Sequence, residues 1–322
     1  MLNISVITPV YNAEKFLRKS VESALQFDEV KEILLIEDGS TDNSLKVCNE
    51  LAAEFKRIKL LQHTNGLNKG AGATRNLGIQ NVTQEYIAFL DADDYYLPNR
   101  FEAEKKLFIN NQDVDGVYGA LGVFFQSENV EKKFFQIFHQ SNNNNDFLTT
   151  IRYKVPPDRL FNKLVGLEKS EGNFHLDCLT LKTKQLKKLS YFFNESLRLH
   201  QDTEFLIRLS YHFNLYPGII DKAVAVRGVH ENNRITKVAI GSRLFYSNKQ
   251  ALFKSLYNWA KKNNVSKDTI SFLRYKKNSL FLQSIFPIEK IKRFFFKMTG
   301  KKNMVSSFFI KNVLSKQSTD KD

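Results

Sequence analysis

The sequence predicts an α/β protein in which helices cover a mostly parallel sheet, and three observations support this fold class. The first 240 residues alternate short apolar segments with amphipathic ones, in the order expected for β-α-β-α units. Hydrophobic residues make up 42% of the 322 positions, enough to bury a large core. Polar and glycine-bearing stretches follow the apolar segments, at the positions where parallel sheets bind ligands.

Four apolar segments are predicted strands: ISVITPVY, EILLIED, IKLLQH and YIAFLD. The first three are separated by NAEKFLRKSVESALQF and NSLKVCNELAAEF, which carry apolar residues at helical spacing. In the first of these helices, Leu17, Val21 and Ala24 share one side. Because parallel strands need long crossovers, which are usually helices, the alternation indicates a sheet covered on both faces.

Three carboxylates follow the fourth strand, because YIAFLDADDYYLP carries Asp91, Asp93 and Asp94. Side chains two positions apart leave a strand on the same side, so Asp91 and Asp93 are expected to converge. A hard divalent cation such as Mg²⁺ or Mn²⁺ would offset their repulsion and keep coordination positions open for phosphate oxygens. The alternative is that these acids only cap the next helix or face solvent.

The charge of the chain is confined to its last part. Residues 241–322 hold 18 lysines and arginines against 4 aspartates and glutamates, which equals the whole formal charge of +14. The first 240 residues balance at 30 against 30. We therefore predict an α/β domain over residues 1–240 and a basic helical region over residues 241–322, with helices in RLFYSNKQALFKSLYNWAKKN and KDTISFLRYKKNSLFLQSIF.

The basic region also favours a surface contact. In PIEKIKRFFFKMTGKKNMVSSFFIKNVL, apolar residues such as Ile291, Phe294 and Met298 share a helical face that lysines and arginines surround. Such a helix can lie in the headgroup layer of an anionic membrane. The alternative is an appendage that packs on the first domain or on a second subunit. Nucleic-acid binding is not expected, because the first domain is neutral and no recognition motif accompanies the basic run.

The expected compartment is the cytoplasm. No run of eighteen apolar residues is present, and MLNISVITPVYNAEKF lacks the basic head and cleavage site of a secretory signal. Cys48 and Cys178 form neither a metal-binding nor a disulfide pattern and are expected to be buried thiols. We therefore expect a cytoplasmic protein with peripheral contact to the inner face of the cell membrane through its basic helices.

Five stretches, in order, resemble motifs of the family 2 glycosyltransferases, which have the nucleotide-diphospho-sugar transferase fold called GT-A. They are TPVYN, EDGSTDNS, KGAGATRNLGI, FLDADD and HQDTEFLIRL, and the resemblance extends over about the first 230 residues. It implies an inverting transfer of a sugar from a UDP-hexose or UDP-N-acetylhexosamine to a hydroxyl of a cell-surface glycan or lipid-linked oligosaccharide. It also implies a Mn²⁺ or Mg²⁺ cofactor.

The resemblance assigns Thr8, Pro9, Tyr11 and Asp38 to the base of the donor nucleotide. Tyr11 would offer its ring for stacking, and Asp38 would accept a hydrogen bond from the uracil imide N–H. Glu37 stands where the family more often has aspartate. The structural alternative is that Tyr11 is only a half-buried aromatic at the end of a strand.

Phosphate and metal contacts are assigned in the same way. Arg75 would bind phosphate oxygens, since a guanidinium can do so bidentately. Asp93 is the preferred metal ligand, and Asp91 would contact the ribose or a metal-bound water. His230 would complete the metal shell, whereas Asp94 is expected to face away or hold the following turn. The cation would stabilise the charge that develops on the leaving diphosphate.

Asp202 matches the acid of the family's Glu-Asp motif, with Gln201 in place of the glutamate. The resemblance makes Asp202 the base that takes the proton of the acceptor hydroxyl. As an aspartate in the first turn of a predicted helix, it is also a good structural cap. Arg227 is expected near the diphosphate, and His175 and Asp177 near the acceptor sugar.

Two other functions are compatible with parts of the sequence. A phosphohydrolase of the haloacid dehalogenase type also has Asp-x-Asp after a strand. It would carry threonine or valine at the position of Tyr95, and its motif would lie near the N-terminus. The second is a catalytically inactive scaffold partner of an active glycosyltransferase. Glu37 and Gln201 favour it, whereas intact Asp93 and Asp202 argue against it.

Overall fold

The computed structural model describes residues 2–138, 148, 150–151, 153–169, 172–231 and 241–285. The chain divides into two compact units, Met1–Thr236 and Lys237–Asp322. The division predicted after residue 240 stays a prediction, because residues 232–240 lie outside the described part.

The described strands all belong to the first unit. They are β1 (Ile4–Val10), β2 (Val30–Glu37), β3 (Ile58–Gln62), β4 (Tyr86–Phe89), β5 (Tyr95–Tyr96), β6 (Gly116–Tyr118), β7 (Ala120–Phe125), β8 (Leu179–Lys182), β9 (Leu215–Pro217) and β10 (Ala223–Val229). The described helices of this unit are α1 (Leu17–Leu25), α2 (Ser44–Glu54), α3 (Ala71–Asn81), α4 (Glu102–Asn110), α5 (Glu128–Phe138), α6 (Pro157–Val165), α7 (Thr183–Leu186) and α8 (Gln201–His212). The second unit contains α9 (Arg243–Lys262) and α10 (Lys267–Ile285).

The main sheet has the strand order β3-β2-β1-β4-β8-β6-β9. The first four predicted strands are β1 to β4, and they pair in parallel as expected. β8 runs antiparallel to both β4 and β6. Apolar side chains of β1 pack alternately on the two faces, Val6 and Val10 in one core and Ile7 in the other. The fold prediction is therefore confirmed: a mostly parallel sheet is covered by helices on both faces.

A second sheet, with the order β5-β10-β7, adjoins the acidic turn after β4. β10 is antiparallel to the two residues of β5, pairing Ala225 with Tyr96 and Val226 with Tyr95, and it runs parallel to β7. Since β5 begins directly after Asp94, this pairing brings the carboxyl end of β10 against residues 91–94.

A buried arginine fixes the segment before β8. Arg100 is fully buried and pairs with Glu104 one helical turn away. Its Nε donates to the backbone carbonyl of Asp177 at 2.8 Å, and its Nη2 donates to that of Leu179 at 3.1 Å. Because a buried guanidinium must satisfy its donors, these bonds hold the chain before β8 in one position relative to α4.

The described part of the second unit is a pair of helices. Leu252, Leu256, Trp259 and Leu273 are buried in it, and this confirms the two helices predicted after residue 241. Lys261, Arg274 and Lys277 surround the ring of Tyr257 at 4.5 to 5.9 Å from its centroid. No helix within the described residues is long and apolar enough to span a membrane. The helix predicted in residues 287–314 lies outside the described residues.

The two cysteines are buried free thiols, as expected. Burial raises the pKa of Cys48 to about 12, so this thiol stays protonated and unreactive.

Candidate active site

Three carboxyl groups meet beyond the end of β4. Asp91, Asp94 and Asp177, together with His175, offer ligand atoms that all lie within 4.8 Å of one another. β4 ends two residues before Asp91, and the N–H of Asp94 donates to the carbonyl of Asp91 at 3.1 Å, which closes a turn. The two-residue alternation of a strand does not hold in a turn, so Asp94 joins this group and Asp93 does not.

Burial and mutual repulsion decide where the protons of this group reside. Burial raises the pKa of Asp94 well above its usual range, and the neighbouring Asp177 carboxylate raises it further. Burial also acts to raise the pKa of Asp177, but His175 and the hydrogen bond from Asp94 more than offset this and lower it. Asp94 is therefore the member of the pair that holds the proton, and Asp177 is ionised.

Arginine side chains supply the counter-charge. Nη2 of Arg75 lies 2.5 Å from Oδ1 of Asp91. Burial raises the pKa of Asp91, and the Arg75 guanidinium opposes that rise. Nη2 of Arg227 lies 2.9 Å from Nε2 of His175, whose Nδ1 lies 3.3 Å from Oδ2 of Asp177. The group thus has two guanidinium groups beside its carboxyl groups.

Asp93 contacts a different partner. Its Oδ2 lies 3.0 Å from Nε2 of His230, and the His230 ring stacks on Phe16 with centroids 4.7 Å apart. The side chains of Asp93 and His230 are 31% and 13% exposed. Both line a cavity of about 70 Å³ whose wall also includes Tyr95 and Phe124. The predicted metal ligands therefore lie side by side at an accessible edge.

Among the residues that the structure describes, two sets of side chains could hold a divalent cation. The buried group around Asp177 already has its charge neutralised by arginines, so a cation there would have to displace Arg75 or Arg227. The Asp93–His230 pair lines an open cavity, and its carboxylate oxygen and imidazole nitrogen lie 3.0 Å apart. Oxygen and nitrogen donors of this kind fit Mn²⁺ or Mg²⁺, and the open side leaves room for water and phosphate ligands.

Asp202 stands in the first turn of α8 and faces the same region. Its Oδ1 accepts from the backbone N–H of Thr203 at 2.8 Å. Burial acts to raise its pKa, but His175, the Thr203 N–H, Arg75 and Arg227 together lower it below the usual value. Asp202 is therefore ionised and ready to accept a proton.

The start of α8 packs tightly against the start of α3. A Cβ at Gly72 would lie 2.9 Å from the side-chain amide of Gln201, so a larger residue here would have to displace that amide. The Gln201 amide donates to the carbonyl of Leu197. His200, just before the helix, has a φ of 63°, a left-handed conformation that aims the first turn of α8 at the site.

The predicted base-binding residues lie at the ends of β1 and β2, which are paired neighbours. Thr8 is fully buried, and its hydroxyl has no hydrogen-bond partner within the described part of the chain. Pro9 is half-buried, whereas Tyr11 is 42% exposed and presents its ring to solvent. Asp38 follows β2 directly, and its N–H donates to the carbonyl of Val10 at 2.9 Å.

The carboxylate of Asp38 closes the loop that leads into α3. Oδ1 accepts from the N–H of Lys69 at 2.7 Å and Oδ2 from that of Gly70 at 2.9 Å. Gly70 has a φ of 87°, which a residue with a side chain rarely adopts. An ionised carboxylate keeps further acceptor positions after two such bonds, so the structure leaves the predicted uracil contact open.

The structure places one residue, Asp177, in surroundings other than those expected of it. Asp177 was expected to contact an acceptor sugar, yet it is fully buried in the group with Asp94. The sequence carries a sign of this, because an aspartate inside the apolar segment LDCLTL must be paired when it is buried. Asp94 does hold a turn, as expected, since its Oδ1 accepts from the N–H of Gly228 at 2.9 Å.

Comparisons with known proteins agree with the fold. The glycosyl transferase family 2 model matches residues 5–165. The minor teichoic acid biosynthesis protein GgaA of Bacillus subtilis is 34% identical over 131 residues, which are 38% of this chain and 28% of that protein. The chain spans less than half the length of the first curated relatives that it matches.

Two solved structures share this architecture. S. aureus TarS 1-349 in complex with UDP-GlcNAc superposes with a TM-score of 0.58 and 18% identity, covering 88% of this chain and 73% of that one. A mannosyltransferase of Pyrobaculum calidifontis in complex with GDP-Man and Mn²⁺ has a TM-score of 0.51 and 14% identity, covering 89% and 72%. At these identities the likeness concerns the fold, and it is the GT-A fold that the sequence predicts.

Proposed function

The chain belongs to glycosyl transferase family 2, and from this premise we propose that it is an inverting, metal-dependent glycosyltransferase. The donor would be a UDP-hexose or UDP-N-acetylhexosamine, and the acceptor a hydroxyl of a cell-surface glycan or lipid-linked oligosaccharide. Support for the donor comes from TarS, which was solved with UDP-GlcNAc. Support for the acceptor comes from GgaA, a teichoic acid biosynthesis protein.

One observation carries the proposal: an ionised Asp202 faces a region that also holds Arg75, Arg227 and the turn after β4. An inverting transfer needs a base on one side of the sugar and a stabilised leaving group on the other. Asp202 would take the proton of the acceptor hydroxyl as the hydroxyl oxygen bonds to the sugar carbon. The bond from that carbon to the diphosphate breaks in the same step, so the configuration inverts.

Asp93 and His230 would hold Mn²⁺ or Mg²⁺, and the bound cation would stabilise negative charge on the departing diphosphate. The Mn²⁺ in the Pyrobaculum calidifontis structure supports this assignment. Asp91, held by Arg75 at 2.5 Å, would contact the ribose or a metal-bound water. Because Arg75 is only 7% exposed, its phosphate contact would require it to share its guanidinium with Asp91.

Thr8, Pro9, Tyr11 and Asp38 would form the base pocket. Three features of the described residues support this role. The Thr8 hydroxyl has no partner, the Tyr11 ring is exposed, and the Asp38 carboxylate has acceptor capacity left. Stacking of a base on the Tyr11 ring would contribute about 1–3 kcal/mol by analogy with nucleic-acid binding.

A panel of nucleotide sugars tests the function. Slow, Mn²⁺-dependent hydrolysis of one donor in the absence of acceptor, measured by release of the nucleoside diphosphate, is the expected result. Release of phosphate from simple phosphomonoesters would identify a phosphohydrolase instead. Normal binding of a donor without any turnover would identify a scaffold partner.

We also propose that the second unit contacts the inner face of the cell membrane from the cytoplasm. Lys261 and Lys262 are exposed in the last turn of α9, within a region that holds all of the net charge. Each such lysine near an anionic membrane surface contributes on the order of 1 kcal/mol to the free energy of membrane binding. The full chain should co-sediment with vesicles containing phosphatidylserine more than with pure phosphatidylcholine. K261Q/K262Q should weaken this difference, and equal binding to both vesicles would contradict the proposal.

A further inference from the structure

Asn76 of α3 holds the backbone of the segment that leads into α8. Its Oδ1 accepts from the N–H of Phe193 at 2.8 Å, and its Nδ2 donates to the carbonyl of the same residue at 3.0 Å. Nδ2 also donates to Oε1 of Glu195 at 2.8 Å. Carbonyl and carboxylate oxygens only accept, so these contacts fix which atom of the amide is the nitrogen. Asn76 therefore binds Phe193 as a paired strand would, through both of its backbone groups.

The ring of Phe193 connects this contact to the helix that carries the proposed base. It stacks on Phe205 of α8, with ring centroids 4.0 Å apart and 27° between the planes. Both rings are buried, and Phe89 at the end of β4 meets each of them edge-on. Residues three apart are neighbours on a helix, so Phe205 and Asp202 are neighbours in the first two turns of α8. A shift of Phe193 would therefore displace the turn that holds Asp202.

The same ring also contacts the side of the site that holds the acidic turn. Arg75 precedes Asn76 in α3, and its guanidinium carbon lies 5.5 Å from the centroid of the Phe193 ring. Nη2 of Arg75 lies 2.5 Å from Oδ1 of Asp91. Two consecutive residues of α3 thus contact two parts of the site, one at the turn after β4 and one at the segment before α8. The position of α3 therefore sets how far that segment lies from the acidic turn.

α8 itself holds the residue next to Phe193. Nη2 of Arg208 donates to the carbonyl of Phe192, and Nε of Arg208 donates to Oε2 of Glu204 at 2.9 Å. Arg208 and Glu204 are buried. Phe192 and Phe193 are thus held by two different helices, so the segment between them fixes the start of α8 relative to α3.

We propose that Asn76 and Phe193 are positioning residues for Asp202: the amide of Asn76 fixes Phe193, and the Phe193 ring holds the first turn of α8 in place. This inference rests on the proposed function, because Asp202 acts as a base only if the chain transfers a sugar. Neither residue is assigned a contact with the reacting atoms, so both act through Asp202. A displacement of the base by about 1 Å is enough to lower the rate on the order of 10²-fold.

Kinetics with a donor found in the sugar panel, together with calorimetry of UDP, test the inference. N76A removes all three contacts of the amide, so kcat should fall about 10–100-fold while the Kd for UDP stays within about threefold. N76A/D202N should be no slower than D202N, because the position of residue 202 matters only while it is a base. N81A is the matched control: Asn81 is exposed in the same helix, donates to the carbonyl of Leu77 at 2.8 Å, and should be replaceable without loss of kcat.

F193L tests the ring separately, because it keeps the backbone contacts of Asn76 but loses the stacking on Phe205. It should lower kcat without changing the Kd for UDP, and it decides the inference if N76A does not fold. Hydrogen–deuterium exchange gives a readout that needs no substrate. Residues 193–205 should exchange faster in N76A than in the unaltered protein, whereas β2 and β3 should exchange at the same rate in both.

An unchanged kcat in N76A would overturn the inference, as would a further loss of kcat in N76A/D202N relative to D202N. A fall in UDP affinity that matches the fall in kcat would also overturn it, and so would faster exchange throughout the chain, since both would show a general loss of structure. If no donor is turned over, the proposed function fails, whereas the exchange measurement still decides whether Asn76 holds the start of α8.

Discussion

Nε2 of His230 lies 3.0 Å from Oδ2 of Asp93, although the two residues are 137 positions apart in the chain. Stacking on Phe16 fixes the plane of the imidazole, with 25° between the two rings. The pair is thus oriented before any cation arrives, so binding a cation requires little rearrangement of these side chains.

Removal of the Asp93 carboxylate should abolish the response to metal. D93N keeps the size of the side chain but loses a charged ligand for the cation. We therefore expect activity to fall on the order of 10²–10³-fold. Titrations in which electron paramagnetic resonance measures free Mn²⁺ should show that D93N binds Mn²⁺ more weakly than the unaltered protein does. D113N, which changes an exposed aspartate outside the site, serves as the control. Full activity of D93N in EDTA would disprove the metal-dependent mechanism.

Asp202→Asn should separate binding from chemistry. The amide cannot take a proton from the acceptor, so we expect kcat to fall by about 10²–10⁴. The Kd for UDP, measured by calorimetry, should stay within about threefold, because Asp202 is assigned no contact with the nucleotide. A fall in UDP affinity that matches the fall in kcat would instead make Asp202 a structural residue.

Gly72→Ala should disturb the proposed base, Asp202, through the neighbouring residue Gln201. The added Cβ would lie 2.9 Å from the Gln201 amide, so that buried side chain must move from its place beside Asp202. We expect a several-fold lower kcat with little change in the binding of UDP. Replacing Gln201 by alanine removes the obstacle, so G72A/Q201A should be more active than G72A. If the second substitution lowers activity further, the steric explanation is wrong.

The proton on Asp94 should appear in the pH dependence of stability. Its folded pKa is raised, so the folded state keeps a proton that the unfolded state releases above the ordinary aspartate value of 3.8. As the pH rises from that value to the folded pKa, the free energy of unfolding therefore falls by about 1.4 kcal/mol per pH unit, compared with a variant that lacks this titration. D94N resembles the protonated form and should lack this slope.

Urea unfolding between pH 5 and 9 in EDTA gives the comparison. The free energy of unfolding of D94N should increase relative to that of the unaltered protein as the pH rises. D94A, which also removes the acceptor for the Gly228 N–H, should be less stable than D94N throughout. Parallel stability curves for D94N and the unaltered protein would show that Asp94 is ionised.

Periodicity and order in the sequence predicted the elements of the sheet well. β1, β2 and β4 are mostly apolar, because strands covered on both faces bury side chains on either side. β3 lies at the edge of the sheet and is only partly buried. Asp202 was placed correctly at the first turn of a helix, since helix starts have a local sequence pattern. The basic helices α9 and α10 were predicted on the same ground.

Most partners within the site could not be predicted, because they depend on contacts between distant segments, and the proximity of Asp93 and His230 was expected only from the family resemblance. The strand rule expects Asp91 to converge with Asp93, but the chain turns after β4 and pairs Asp91 with Arg75 and Asp93 with His230. Nothing local shows that Arg75 is held by a carboxylate or that His175 contacts Arg227. These pairings follow from the strand order, which places residues 91–94 beside β10.

Gly228 constrains how this family member can vary. A Cβ there would lie 2.3 Å from the backbone carbonyl of Asp93, so the strand end and the turn touch without an intervening side chain. Residues on either side of Gly228 serve different partners, Arg227 with His175 and His230 with Asp93. A single residue inserted or deleted between Arg227 and His230 would reverse the side of the strand on which one stands relative to the other, and both contacts could then not form together.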